Sequence, residues 1–97
     1  MATYVSLYNF TDQGVRNVKD TLKRAEAVKQ AAAQAGVTIK EIYWLQGKYD
    51  VLVVSESADE TAAMALAVST AKAGNVSGQT MRAFTATEME KILAKVV

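Results

Sequence analysis

The chain has 97 residues, 51% of them hydrophobic, enough for one domain with a thin core. It holds no cysteine and no histidine, which removes disulfides, thiol nucleophiles, Ser-His and Cys-His pairs and the commonest transition-metal ligand. Eleven basic against ten acidic side chains leave a net charge of +1, no field with which to gather nucleic acid or anionic lipid.

The opening MATYVSLYNF has no basic segment ahead of an apolar one, so it does not read as a secretory signal. No apolar run approaches the ~20 residues of a membrane span. The expectation is a soluble cytoplasmic protein, residues 1–97 forming a single domain.

Thr3 to Phe10 alternates as a strand, with Thr3, Val5, Leu7 and Asn9 on one face and Tyr4, Ser6, Tyr8 and Phe10 on the other. Thr11-Asp12 then opens a helix, the hydroxyl as cap and the carboxylate at the positive end of the dipole. Val15, Val18, Leu22, Ala25, Val28, Ala32 and Ala35 form one apolar stripe along a long helix that Gly36 ends.

Val37 to Gln46 and Tyr49 to Ser55 are the second and third strands. Gly47-Lys48 between them fits a two-residue type II′ turn, a register that sets Leu45 opposite Asp50 and Tyr43 opposite Leu52. Ser57-Ala58-Asp59-Glu60 has the form of a capping box and starts an alanine-rich helix that stops at Gly74-Asn75. Val76 to Phe84 is the fourth strand. Thr85-Ala86-Thr87-Glu88, a second capping box, opens a short C-terminal helix with Met89, Ile92, Leu93 and Val96.

The order β-α-β-β-α-β-α matches a split βαβ arrangement, and right-handed crossovers put the first and third strands in the middle of a four-stranded antiparallel sheet. Two helices cover only one sheet face. Val5 and Leu7 are expected beneath them, which leaves Tyr4, Ser6, Tyr8 and Phe10 looking outward. Burying that second face against another copy of the chain is the economical solution.

At this point the chain resembles the GYD-domain family, named for a G-x-Y-D turn. The motif stands here as Gly47-Lys48-Tyr49-Asp50. Thr11-Asp12-Gln13-Gly14 with Arg16-Asn17, and Gly74-Asn75-Val76 leading to Met81-Arg82-Ala83-Phe84-Thr85, also look like that family. Many relatives carry a proline near position 22, where this chain has Leu22, so its first helix is expected to run straight. The resemblance implies an α+β, ferredoxin-like βαββαβ fold with a C-terminal helix, of the dimeric α/β-barrel kind in which two sheets enclose a barrel. It implies no activity. Wider relatives range from cofactor-free oxygenases and isomerases to haem enzymes and ligand sensors, and fold alone does not choose among them.

Strand alternation splits Tyr49 from Asp50. The plain reading makes Gly47 the turn former, Tyr49 a packing residue at a sheet edge and Asp50 a partner for nearby backbone. The sharper one makes Asp50 the candidate catalytic residue, an acid, base or ligand anchor facing the barrel interior. If Met81 faces the helices, Arg82 points into that barrel and needs a carboxylate from Asp50, Glu56 or a partner subunit. It then either fixes the dimer or clamps an anion. Tyr4, Tyr8 and Tyr43, with Ser6, could line a pocket for a planar organic ligand, although sheet aromatics are more often packing. The candidate ligand-binding set is Tyr8, Tyr43, Asp50 and Arg82.

Trp44 is expected on the face opposite Tyr43. Arg16, Lys19, Lys23 and Arg24 read as the solvated face of the first helix. Glu41, Asp50 and Glu56 lack the dense acidic loop of a calcium site, and no phosphate-loop pattern is present, so neither a metal nor a cofactor is expected. Three functions follow. The first is a domain that pairs with itself, as a homodimer or higher oligomer, and binds a small ligand between or beside the paired sheets without catalysis. The second is a cofactor-independent enzyme, oxygenase- or isomerase-like, on a small aromatic or carbonyl compound. The third, an RNA-binding sheet, lacks the required signature and any basic surplus.

Overall fold

The computed structural model describes residues 1–97. Its elements run β1 (Ala2–Phe10), α1 (Asp12–Arg16), a 3-10 turn (Val18–Asp20), α2 (Thr21–Gln34), β2 (Val37–Trp44), β3 (Val51–Ser57), α3 (Glu60–Ala73), β4 (Val76–Ala83) and α4 (Ala86–Leu93). The four strands form one antiparallel sheet in the order β2-β3-β1-β4. The first and third strands are therefore central, as right-handed crossovers require. The fold is the α+β, ferredoxin-like arrangement with a C-terminal helix.

Register decides which face each strand shows. Tyr8 lies opposite Val51, Ser6 opposite Val53 and Tyr4 opposite Ser55. Directly paired residues share a face. Val51 and Val53 do lie beneath the helices, so Tyr4, Ser6, Tyr8 and Phe10 lie there too, beside Ala25 and Val28 of α2 and Leu66 and Ala67 of α3. The expectation for β1 is thus inverted: Val5 and Leu7 face away from the helices, with Leu52 and Val54 as cross-strand partners. A one-residue phase error turns over a whole strand.

The long first helix is not continuous, in spite of Leu22. Asn17 caps α1 with its own N–H, and its side-chain amide donates to the Gln13 carbonyl at 3.1 Å. Asp20 N–H then bonds back to the Asn17 carbonyl at 3.0 Å, closing the 3-10 turn. Short polar side chains offer the backbone such alternatives to a helix. The break puts the stripe out of phase: Val15, Val18 and Leu22 are exposed, whereas Ala25 and Val28 face the sheet and Ala32 is fully buried.

The remaining ends follow their caps. Thr11 and Thr85 act as expected, Thr85 and Glu88 completing a reciprocal capping box. The cap of α3 is Asp59 rather than Ser57, its carboxylate accepting from Thr61 N–H at 2.9 Å. Ser57 instead ties the Gly36 carbonyl to the entry of α3. Gly74 stops α3 in the left-handed region at φ 83°.

The β2–β3 connection keeps the expected register, Tyr43 opposite Leu52 and Leu45 N–H donating to the Asp50 carbonyl at 2.7 Å. It is not a tight type II′ turn, because no bond closes Gln46 to Tyr49 and Asp50 N–H turns to the Tyr8 carbonyl at 2.8 Å. A bulge at Lys40, between Ile39 and Glu41, lets both Ile39 and Ile42 face the helices.

Candidate functional site

The Thr11–Gly14 segment, the Gly74-Asn75 turn and the Gly47–Asp50 turn meet at one end of β1. Thr11, just beyond the strand, donates its hydroxyl to the Gly74 carbonyl at 2.6 Å and its N–H to the Asn75 carbonyl at 3.1 Å. Gln13 donates to the Ala73 carbonyl at 3.1 Å and to Asn75 Oδ1 at 3.0 Å. Gly14 is buried, and any Cβ there would collide with the Asn75 carbonyl. The start of α1 is thereby locked to the turn from α3 into β4.

Asp50 completes the junction. Its carboxylate accepts from Phe10 N–H at 2.9 Å. That amide points toward β3, which begins only at Val51. The side chain thus replaces the strand carbonyl that Phe10 lacks, while the Asp50 backbone bonds to Tyr8. The plain reading of Asp50 holds, and the carboxylate is committed to backbone. Tyr49 reaches over the other sheet face, its phenol 3.4 Å from Gln79 Nε2.

Arg82 lies far from Asp50. It pairs with Tyr4 at the opposite end of β1, four or more residues away, about 13 Å or more along the strand. Met81, paired with Val5, faces away from the helices, which reverses the expected orientation of both side chains. The carboxylate that Arg82 needs is neither Asp50 nor Glu56. It is Glu88 at the start of α4, 3.2 Å away. The guanidinium also donates to the Thr3 carbonyl at 3.3 Å and to the Ala83 carbonyl, and lies 4.3 Å from the Phe84 ring centre. Glu56 pairs with Lys40 at 3.6 Å.

The expected set of Tyr8, Tyr43, Asp50 and Arg82 therefore does not converge. Tyr43, opposite Leu52, is on the face away from the helices, where the neighbouring Glu41 carboxylate pushes its phenol above the usual 10.0. Glu88 is held below the usual glutamate range by Thr85 N–H and then Arg82. Asp59 is held low by its bonds to Thr61 and to the Ala62 amide.

A cavity of about 380 Å³ lies between the sheet and the two long helices. Tyr4, Ser6 and Tyr8 line it together, so part of the expected aromatic pocket exists, but under the helices. Its floor is unusually polar for a core: Ser6 and Ser55 are buried, and Ser6 bonds to Thr80 at 2.8 Å. Trp44, on the face opposite Tyr43 as expected, closes one end with its indole N–H on Thr21 Oγ1 at 3.0 Å.

Two of the lining residues, Tyr4 and Arg24, each carry a polar atom shielded from water and without a partner, Tyr4 Oη and Arg24 Nη2. Such orphaned groups cost about 1–3 kcal/mol each, more when charged. Arg24 was expected in solvent. It instead turns inward, Nη1 donating to the Asn17 carbonyl at 2.7 Å. A signal was present: Arg24, Val28 and Ala31 recur at the same spacing as the apolar stripe and line the same cavity. The lining contains no aspartate, glutamate or lysine.

No curated protein and no solved structure matches the chain. The sequence model of the GYD domain matches residues 4–93. Those residues span all three motif segments, and the chain belongs to the GYD-domain family.

Proposed function

We propose that this GYD domain works as a non-catalytic homodimer that holds a small, largely apolar molecule beside its sheet, in the cavity under α2 and α3. The cavity itself carries the reading. It is within the usual size of small-molecule sites, about 300–1,000 Å³, and combines apolar walls with a few polar atoms, as such sites do. Its alanines and serines leave the space that larger side chains would fill.

The absence of catalysis rests on the lining. Serine, threonine and tyrosine hydroxyls are present, but none has a base beside it, since no carboxylate or lysine lines the cavity. Asp50, the acid/base of the alternative cofactor-independent enzyme, is bonded to Phe10 N–H. Dimer formation rests on the other face, where Val5, Leu7, Leu52 and Val54 form an apolar centre on the two middle strands, flanked by exposed Tyr43 and Met81.

A thermal-shift screen of small metabolites tests the site, run in parallel on wild type, Ala67→Phe and Asp50→Asn. Ala67→Phe fills the cavity from α3. The expected ligand raises the melting temperature of wild type and Asp50→Asn but not of Ala67→Phe. A ligand that ignores Ala67→Phe and needs Asp50 would overturn the cavity reading and revive the enzyme.

A further inference from the structure

Arg24 gives the cavity a chemical preference. Its guanidinium is in neither of the chain's two ion pairs, which are Lys40–Glu56 and Arg82–Glu88. Nη1 donates to the Asn17 carbonyl, and Nη2 is shielded from water with no acceptor. A cation held this way lacks a counter-charge, and the lining supplies none.

The shape is elongated. The floor follows β1 from Tyr4 to Phe10, about 20 Å at strand rise. Small side chains line it on both helices, with Ala25, Val28 and Ala31 on α2 and Ala63, Ala67 and Ala73 on α3. Arg24 is one turn from Thr21, whose hydroxyl holds Trp44, so the charge lies at the Trp44 end. A site with a guanidinium outside any ion pair at one end and an apolar trough leading away suits a single anionic head on a flexible apolar tail.

We propose that the cavity takes an elongated monocarboxylate amphiphile, its carboxylate on Arg24 and its chain along β1 between α2 and α3. This rests on the ligand-binding reading above and adds the class of ligand and the residue that selects it. An Arg–carboxylate contact is a strong charge-assisted bond, and neither ion pair of the chain engages Arg24.

The test needs no prior ligand. Decanoate, decanol and decylamine share one tail and differ in head group. Each is titrated below its aggregation limit into wild type, Arg24→Met and Ala67→Phe, with binding read by calorimetry. Wild type should bind decanoate at least about ten-fold tighter than decanol, the worth of one charge-assisted bond, with decylamine weakest. Arg24→Met should erase the gap between acid and alcohol, and Ala67→Phe should weaken all three.

Equal binding of decanoate and decanol by wild type overturns the carboxylate assignment and leaves the ligand-binding reading standing. The wild-type series decides this even if Arg24→Met does not fold. Failure of all three to bind overturns the inference. If the thermal screen still finds a ligand blocked by Ala67→Phe, the broader reading survives that failure. A cavity occupied by a second copy of the chain would show as Trp44 emission that changes on dilution without any decyl compound binding, and would also overturn it.

Discussion

Asp50 shows what alternation can and cannot decide. Counting outward from Val51 and Val53 places it away from the helices, but the count applies only within a strand. β3 begins at Val51, and Asp50 sits in the bend before it. There the backbone turns, and the carboxylate takes the amide of Phe10. Asp50→Ala should lower stability by about 1–2 kcal/mol by chemical denaturation, the worth of a half-exposed bond to a charged group, and leave ligand affinity unchanged. Arg82 was legible as a cation that needs a carboxylate. Its partner was not, because Glu88 is already the glutamate of a capping box and only the chain turn after β4 brings the two together. The lowered pKa of Glu88, held down by the Thr85 amide and then Arg82, gives a pH prediction. A carboxylate with a lowered folded value adds stability above its ordinary pKa, near 4.5, and loses it as pH falls through the lower folded value. The Thr85 amide proton, followed by NMR, should show α4 fraying below about pH 4.5 in wild type and a flattened dependence in Glu88→Gln.

The elements were legible in kind and in order, since strand alternation, the Thr11 and Thr85 caps and the glycine stops are local signals. The departures come from interactions between elements and from local polar bonds that compete with a helix. β1 is apolar on both faces, so only its register with β3 settles which side meets the helices. The first helix breaks because the Asn17 side chain bonds to the Gln13 carbonyl, a polar competition that an apolar stripe does not reveal. Gly14 is the sharpest case of an element fixed by a distant one. Its missing side chain allows α1 to press on the Asn75 carbonyl. Gly14→Ala should therefore destabilise by about 1–3 kcal/mol, as overpacking does, with hydrogen exchange rising together in α1 and at the Gly74-Asn75 turn. Equal stability of the variant would show that the junction yields freely and is not what holds these segments.

At the scale of the molecule, the chain is flat and thinly filled. It measures 50 × 31 × 18 Å, with a radius of gyration of 14.6 Å against about 12.5 Å for a compact chain of this length. Only 7 of 97 residues are buried. Two surfaces are left short of partners, the apolar sheet face and the trough under the helices. Composition pointed to the first, since it offered more apolar residues than one small core can hide. The second was hidden because its making depends on what is missing, small residues facing each other across elements. Pairing through the sheet face predicts a light-scattering mass of twice 10.4 kDa, reduced to one chain by Leu52→Lys, which sets a charge in the centre of that face.

The single tryptophan of the chain stands in the wall of the trough. Whether the trough is the binding site is decided by titrating a compound that stabilises the protein while following Trp44 emission. Binding in the trough predicts a saturable change in emission that follows the rise in melting temperature and is lost in Ala67→Phe. A compound that stabilises the protein while leaving Trp44 emission unchanged would place the site elsewhere.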